Sequence, residues 1–491
     1  MSNRNYLVFD FGASNGRAAV FSFDGNKYSM AVTHRFENRP VYASGTLYWD
    51  ILSLYEELKI GIQKSLEQYR DIQSLALDAW GADFGFIGKN GKLVSNPVHY
   101  RDQQRSKDSK KLLKLIPAFD LFKLAGSEVS PIFDLFQLFS LSINQAPEIE
   151  YGKTYLSIPD ILNYFLTGKT FNEWTRITTT IMYNQVEKKW EDKILRAAGL
   201  PADRFAPIIK PGEKIGRISD SVCSHLGIRP LEVIAPVTHD TPSAVAGIPV
   251  SSDRNWAFLS LGTWAILGKE TEKPIINKEV FDLGYSNEGG AEDSNLFIKN
   301  ITGMWIIQQC RAKWIKDLGE KIAWDRIMEL ARAASPFAGF IDVNNPAFTH
   351  PSSDMPQVIG DNCSGHKPES IGEAARLFYE GLVLKFKHEV KSLEKLTGQK
   401  LELLHLIGGG TKDRLLCQWT ADATGIPVIA GPTETTSVGN FLMQLKAAGQ
   451  ISNLSQGREI SKNSSAVKPY QPQQTSSWEQ AYNDYITNIN F

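Results

Sequence analysis

The stretch Tyr6–Gly25 reads YLVFDFGASNGRAAVFSFDG. An apolar run ends in Asp10, a small polar loop with two glycines follows, and a second apolar run begins at once. Apolar runs on either side of a Gly-bearing turn predict two antiparallel strands. A third run, YSMAVTHRF at Tyr28–Phe36, is reached through the turn DGN and continues the meander. WDILSLYEELKIGIQKSLEQY, Trp49–Tyr69, then carries Ile51, Leu54, Leu58, Ile62 and Leu66 at helical spacing, with Asp50 as N-cap. IQSLALDAWG, Ile72–Gly81, predicts a buried strand after the helix, parallel to the first. The order β-β-β-α-β makes the chain an α/β protein.

A length of 491 residues exceeds one ordinary core and predicts two domains. The boundary falls near GIPVSSDRN, Gly247–Asn255, which has turn composition. Just after it, NWAFLSLGTWAILGKE at Asn255–Glu270 repeats the strand, Gly-bearing turn, strand device of the N-terminus, as two similar domains would. The expected division is 1–248, 249–451 and an extension over 452–491, whose polar composition places it at the surface. Two helices with glycine stops are expected, over Ile158–Gly168 with Asp160 as N-cap, and over Ile371–Gly398.

Composition excludes several function classes. The net charge is −1 and Lys and Arg are dispersed, so no basic stripe suits a nucleic acid. No apolar run is long enough to span a bilayer. No signal-peptide pattern opens the chain, and no two of Cys223, Cys310, Cys363 and Cys417 form a CxxC pair. A cytoplasmic protein with reduced thiols is expected.

Three glycine turns carry the chemistry: GASNG after the first strand, LGT within SLGTW, and the triple glycine of LIGGGTKD. Such turns expose backbone N–H groups that suit phosphate oxygens, although none matches a P-loop or a dinucleotide fingerprint. Asp10, at a strand end before such a turn, either caps the turn or holds a Mg²⁺ ion that bridges phosphates. Asp240, in THDT after the run LEVIAPV, either N-caps a helix or takes a proton from an attacking hydroxyl. In DAWGADFGF, Asp78, Trp80 and Asp83 surround Gly81: glycine permits close approach, tryptophan walls a sugar ring, and aspartate accepts from hydroxyls. Asn300 and Gln308, eight residues apart in KNITGMWIIQQ, are expected on one side of a helix.

Read together, DFGASNGR, DAWGADF, HYRD, THDTPSA, SLGTW, NEGGAE, KNITGMW, IGGGTKD and AGPTETTSVGN resemble the FGGY carbohydrate kinases, in order and rough spacing, from about Tyr6 to Gln450. They are most similar to the rhamnulokinase branch. The resemblance implies two ribonuclease-H-like domains of the actin/hexokinase-like ATPase type around a central cleft. It implies ATP and Mg²⁺ as cofactors, a small-molecule sugar as partner, a monomer or homodimer, and closure that excludes water. It implies Asp240 as catalytic base and Asp10 as the metal-side carboxylate. Ala13, Ser14, Asn15, Gly16 and Arg17 would form the first phosphate loop. Gly262 and Thr263 would form the second, with Gln308, Gly408, Gly409 and Gly410 by the nucleotide. Trp80, Gly81, Asp83, His239, Thr241 and Asn300 would meet the sugar. The implied reaction phosphorylates the C1 hydroxyl of L-rhamnulose, with L-fuculose or L-xylulose as alternative ketoses. An actin-like ATPase without a sugar would share the phosphate loops. The chain departs from the branch at Ala79, Leu261, Asn15 and Pro242, none of which is Asp10 or Asp240.

Overall fold

The computed structural model describes residues 3–250, 254–350 and 352–489. The chain forms two compact units. One comprises Met1–Ser251, Glu270–Phe297 and Glu434–Ser464; the other comprises Ser252–Lys269, Ile298–Thr433 and Ser465–Phe491.

In the first unit the opening stretch forms β1 (Arg4–Phe11) and β2 (Asn15–Phe23), joined by a short turn and followed by β3 (Tyr28–Glu37). Both pairs are antiparallel, and Asp10 stands opposite Arg17. The helix Ile51–Gln68 follows, and Asp50 caps it by accepting from the Ser53 N–H at 3.1 Å. It returns the chain to β4 (Ile72–Ala79), parallel to β1, which sets Asp10 beside Asp78. β5 (Lys214–Arg217) and β6 (Glu232–Ile234) complete the order β5-β6-β4-β1-β2-β3.

Successive residues of β1 serve opposite cores. Leu7, Phe9 and Phe11 pack with Leu54, Leu58 and Ile62 of the first helix. Tyr6 and Val8 pack with Phe441, Leu442 and Leu445 of the helix Thr435–Ala447. A strand covered on both faces reads as a continuous apolar run, and this one does until Asp10.

The second unit repeats this topology. β7 (Trp256–Leu261) and β8 (Trp264–Thr271) form an antiparallel hairpin across Gly262–Thr263. β9 is Asn295–Thr302, β10 Leu403–Ile407, β11 Val428–Ala430 and β12 Lys468–Tyr470. The sheet has seven strands: Ser286–Gly289 lies at the edge beyond β9, and the other six, in the order β9-β8-β7-β10-β11-β12, repeat the order of the first unit. As in the first unit, the hairpin's first strand pairs in parallel with the strand arriving from a helix, the next pair is parallel, and the edge pair is antiparallel. The repeated strand–turn–strand device is a repeated sheet.

Several local expectations hold. The helix Ile371–Thr397 is capped by Ser370 and stopped by Gly398 in the left-handed region at φ 68. Gly168 stops the helix Ile158–Thr167 in the same way. Asp160 is not its N-cap: Ser157 holds that position, and the buried Asp160 lies in the first turn, accepting from the Ser157 hydroxyl at 2.5 Å. The segment after residue 452 is not a surface extension. Leu454 and Ile460 enter the first unit's core, β12 joins the second sheet, and Trp478 and Tyr485 are buried. Its apolar residues are spaced on two helices, so average composition hides them.

Candidate active site

The first unit gathers carboxylates where β1 and β4 end. Arg17, opposite Asp10 in the hairpin, donates to Asp10 Oδ2 from Nε at 3.1 Å and Nη2 at 2.8 Å, and pairs with Glu434 through Nη1. The Ser437 hydroxyl reaches the same Oδ2 at 3.3 Å. Asp10 Oδ1 receives none of these bonds. The turn is fixed by the Gly12 N–H to the Asn15 carbonyl at 2.8 Å, and by Asn38, which donates to the carbonyls of Gly12 and Ser14. Ala13, Ser14 and Gly16 thus sit on one braced loop with Arg17.

Asp78, beside Asp10, is fully buried and accepts from Asn440 Nδ2 at 2.7 Å. Burial and the neighbouring Asp10 push its pKa well up. The helix carrying Asn440 packs against the short helix Asp240–Ala246 with almost no space between backbones: a Cβ on Gly247 would approach the Thr435 carbon to 3.1 Å, and one on Gly439 the Ser243 carbon to 2.7 Å. Small residues on both helices allow this approach.

Asp240 is the first residue of its helix, and its side chain keeps 36% of its surface. Burial of its surroundings first, and then the charge of Asp10, push its pKa up to about 7. Its Oδ1 accepts from the Thr241 hydroxyl and faces His239 Nε2, each at 3.3 Å. The backbone just before it is pinned by Glu173, which accepts from the Thr238 N–H at 3.2 Å. Ala79 donates to the Thr238 carbonyl at 2.9 Å, which draws Trp80 and Gly81 beside His239. A Cβ on Gly81 would overlap the His239 imidazole, whose Cε1 would lie 2.7 Å away. The imidazole is buried and its pKa falls to about 3, so it is neutral at pH 7.

Trp80 is buried against Trp49 at a ring separation of 4.2 Å, and its Nε1 has no hydrogen-bond partner. Asp83 is fully buried. It accepts from Trp49 Nε1 at 2.6 Å, the Tyr100 N–H at 3.0 Å and Arg105 Nη2 at 3.0 Å. With three of about four lone-pair sites taken, Asp83 organises the segment behind Trp80 and is not an open hydroxyl acceptor. Its neighbours Asp134, Arg176 and Tyr155 complete a buried network.

The second unit supplies a separate cavity of about 480 Å³, lined by Leu261, Gly262, Thr263, Met304, Gln308, Trp324, Asp325, Met328, Gly409, Gly410, Lys412 and Asp413. Gly408, just before the lining residues Gly409 and Gly410, sits in the left-handed region at φ 84. Leu261 packs directly under the triple glycine: a Cβ on Gly410 would lie 2.6 Å from Leu261 Cβ. The Gly262–Thr263 turn is clamped by the Met304 and Trp305 N–H groups, at 3.0 and 3.2 Å from the carbonyls of Gly262 and Thr263. Asn300 and Gln308 do not share a helix face. Asn300 lies on β9, and Gln308 lies on the helix Trp305–Leu318 after the break at Gly303. Only Gln308 lines the cavity.

A model of the N-terminal domain of the FGGY family of carbohydrate kinases matches residues 5–247, and one of its C-terminal domain matches residues 257–448. The chain belongs to the FGGY family of carbohydrate kinases. This kinase is 35% identical to a rhamnulokinase of Bacteroides thetaiotaomicron over 482 residues, 98% of each chain. It is 33% identical to a rhamnulokinase of Halalkalibacterium halodurans, covering 95% of the kinase and 98% of that relative. In fold it is similar to a ligand-bound xylulose kinase of Lactobacillus acidophilus, with TM-score 0.84 at 15% identity, covering 99% and 97% of the two chains. A glycerol kinase of Plasmodium falciparum with ADP aligns with TM-score 0.77 at 16% identity, over 100% and 99%. No helix among the described residues is long and apolar enough to cross a membrane.

Among the described residues no group of three or more His, Cys, Asp and Glu side chains is arranged to hold a metal ion. A Mg²⁺ ion that keeps waters and phosphate oxygens needs only one or two carboxylates, and the open Oδ1 of Asp10 suits it. Sequence reading did not single out Asn440, Ser437, Gln444 or Glu288. The first three recur on one face of TTSVGNFLMQL, polar positions in an otherwise buried helix, and that pattern was a usable signal.

Proposed function

We propose that this kinase transfers the γ-phosphoryl group of ATP to the C1 hydroxyl of L-rhamnulose, giving L-rhamnulose 1-phosphate and ADP. The rhamnulokinase names of its relatives support the sugar. The observation that carries the chemistry is Asp240: a reachable carboxylate with a pKa of about 7, held between a neutral imidazole and a threonine hydroxyl. A base with that pKa is half ionised near neutrality and strong enough to take a proton from a polarised hydroxyl. Asp240 accepts the C1 hydroxyl proton as that oxygen bonds to the γ-phosphorus; the β–γ bridging bond breaks and ADP leaves.

Asp10, through its open Oδ1, would hold the Mg²⁺, which would supply positive charge against the phosphates of ATP. The braced loop Ala13–Arg17 offers backbone N–H groups to the transferring phosphate. Gly262, Thr263, Gln308 and Gly408–Gly410 seat the nucleotide. Trp80, Gly81, His239, Thr241 and Asn300 bind the sugar. The buried, unpartnered Trp80 Nε1 is a donor for a hydroxyl, while Asp83 holds Trp49 and the chain at Tyr100 in place. In this reading residues 1–248 and 249–451 are the functional domains and 452–491 the C-terminal extension. The enzyme works in the cytoplasm, as a monomer or homodimer.

The test is a coupled ADP-release assay with L-rhamnulose, L-fuculose, L- and D-xylulose, L-ribulose and glycerol. L-Rhamnulose should lead in kcat/KM by about tenfold or more, worth about 1.4 kcal/mol in the transition state. A different leader overturns the sugar. ATP turnover indifferent to every sugar overturns the kinase reading.

A further inference from the structure

Glu288, in the NEGGAE motif, is 4% exposed, and nothing above uses it. Its backbone is fixed on both sides. The Asn287 N–H donates to the Gly126 carbonyl at 3.1 Å, and the Gly289 N–H to the Thr178 hydroxyl at 2.8 Å. Space beyond Gly289 is closed, since a Cβ there would meet Thr178 Cγ2 at 3.1 Å and the Thr175 Cα at 3.3 Å. Glu288 Oε2 lies 3.4 Å from His239 Nδ1, and neither of these buried atoms has a hydrogen-bond partner. The opposite ring nitrogen, Nε2, is the one that faces Asp240 at 3.3 Å. The three side chains form a line: carboxyl, imidazole, carboxylate.

A neutral imidazole has one N–H, and the partner of one nitrogen decides which nitrogen carries it. We infer that Glu288 is the positioning residue of this site: as a neutral acid it donates to His239 Nδ1, so that Nε2–H faces Asp240 and holds its carboxylate toward the substrate hydroxyl. The inference rests on Asp240 being the base. The surroundings favour the neutral acid. Burial, then the charges of Asp240 and Glu128, push the Glu288 pKa up to about 8, with Arg176 as the opposing positive charge. His239 stays neutral through burial and the same Arg176. When Glu288 ionises, Nδ1 must supply the proton instead. The Nε2 lone pair then confronts Asp240, and the base loses its donor.

The consequence is an alkaline limb in activity that belongs to Glu288. The experiment measures kcat for L-rhamnulose phosphorylation from pH 5.5 to 10 in wild type, Glu288→Gln, Glu288→Leu and Asp240→Asn. A glutamine amide donates to Nδ1 and does not titrate, so Glu288→Gln should lower kcat modestly and lose the decline centred near pH 8. Leucine has no donor, so Glu288→Leu should lower kcat by about tenfold or more, equivalent to about 1.4 kcal/mol of transition-state stabilisation, with a smaller change in sugar KM. Thermal melts confirm folding of each variant. An alkaline limb kept in Glu288→Gln overturns the inference, as does a folded Glu288→Gln no better than Glu288→Leu. Asp240→Asn separates the two readings: if it is inactive at every pH while Glu288→Gln keeps its limb, the base stands and the positioning role falls. If Asp240→Asn is active, the base reading fails and this inference with it.

Discussion

Asn440 donates its side-chain amide to Asp78 Oδ2 at 2.7 Å, although 362 positions separate them. The bond ties a helix from the last quarter of the sequence to the strand beside β1. Asp78 is buried; among the described residues Asn440 is the one side-chain donor to it, and Oδ1 has no partner. Asn440→Ala should therefore cost about 1–3 kcal/mol, the range for stranding a buried polar group, measured by urea unfolding. The sign of the pH effect follows from the raised pKa. The folded state keeps a proton that the unfolded chain releases above the ordinary carboxylate value of 3.8, so stability falls as pH rises from there. Removing the donor raises the folded pKa further and enlarges the loss at higher pH. A variant as stable as wild type at pH 8 would refute the role of this bond.

Gly81 and His239 make the second test. The imidazole lies against the glycine backbone, and an added methyl would overlap the ring. The ring is buried and flanked by Glu288 and Asp240, so any displacement changes its contacts with both carboxyl groups. Gly81→Ala should displace His239 and lower kcat by about a hundredfold, the scale expected when a catalytic group is misplaced by about 1 Å. Near-normal kcat in a folded Gly81→Ala would show that ring position does not matter.

Much of this arrangement was legible in the chain. The β1–turn–β2 device, the glycine turns and Asp240 all lie in short windows where local pattern and chemistry coincide. What local pattern misjudged has physical causes. Asp83 reads as a ligand-facing carboxylate beside Trp80, but Arg105, the Trp49 ring and the Tyr100 N–H, which occupy it, come from other segments. Asn300 and Gln308 have helical spacing, but Gly303 ends one element before the next begins. The buried tail residues are diluted by polar neighbours. Glu288 needs His239 beside it before its meaning shows, and that contact spans the fold.

Asp240→Asn should lower sugar-dependent ADP release by about 10²–10⁴-fold, the usual worth of a positioned base. ATP affinity should hold, because the cavity lined by Gly262, Gln308 and Gly409 is untouched. In wild type, kcat should climb as pH rises through about 7, where Asp240 loses its proton. A flat profile between pH 5.5 and 7.5 would count against Asp240 as the base.

Asp10→Asn keeps the size of the side chain and removes the charge that a divalent cation would meet. Arg17 then loses its ion pair but keeps Glu434. The expected outcome is a higher Mg²⁺ requirement for half-maximal turnover, read by titrating Mg²⁺ at fixed ATP. Identical Mg²⁺ curves for variant and wild type would remove Asp10 from the metal.

Gly303 tests the nucleotide turn without touching a candidate contact. A Cβ there would stand 2.6 Å from both the Ala265 nitrogen and the Trp264 carbonyl carbon, and 2.9 Å from the Gly262 oxygen. These are backbone atoms, so no rotamer change relieves the overlap, and the turn itself must move. Moving it stretches the bonds from the Met304 and Trp305 N–H groups to Gly262 and Thr263, at 3.0 and 3.2 Å, that hold the turn against the helix bearing Gln308. Gly303→Ala should weaken ATP binding by about tenfold, or about 1.4 kcal/mol, with a smaller change in sugar KM, and it should lower the melting temperature. Gly409→Ala is the comparison, because a Cβ there meets nothing within 4 Å. Its melting temperature should match wild type. Unchanged ATP affinity in a folded Gly303→Ala would show that the Gly262–Thr263 turn does not seat the nucleotide.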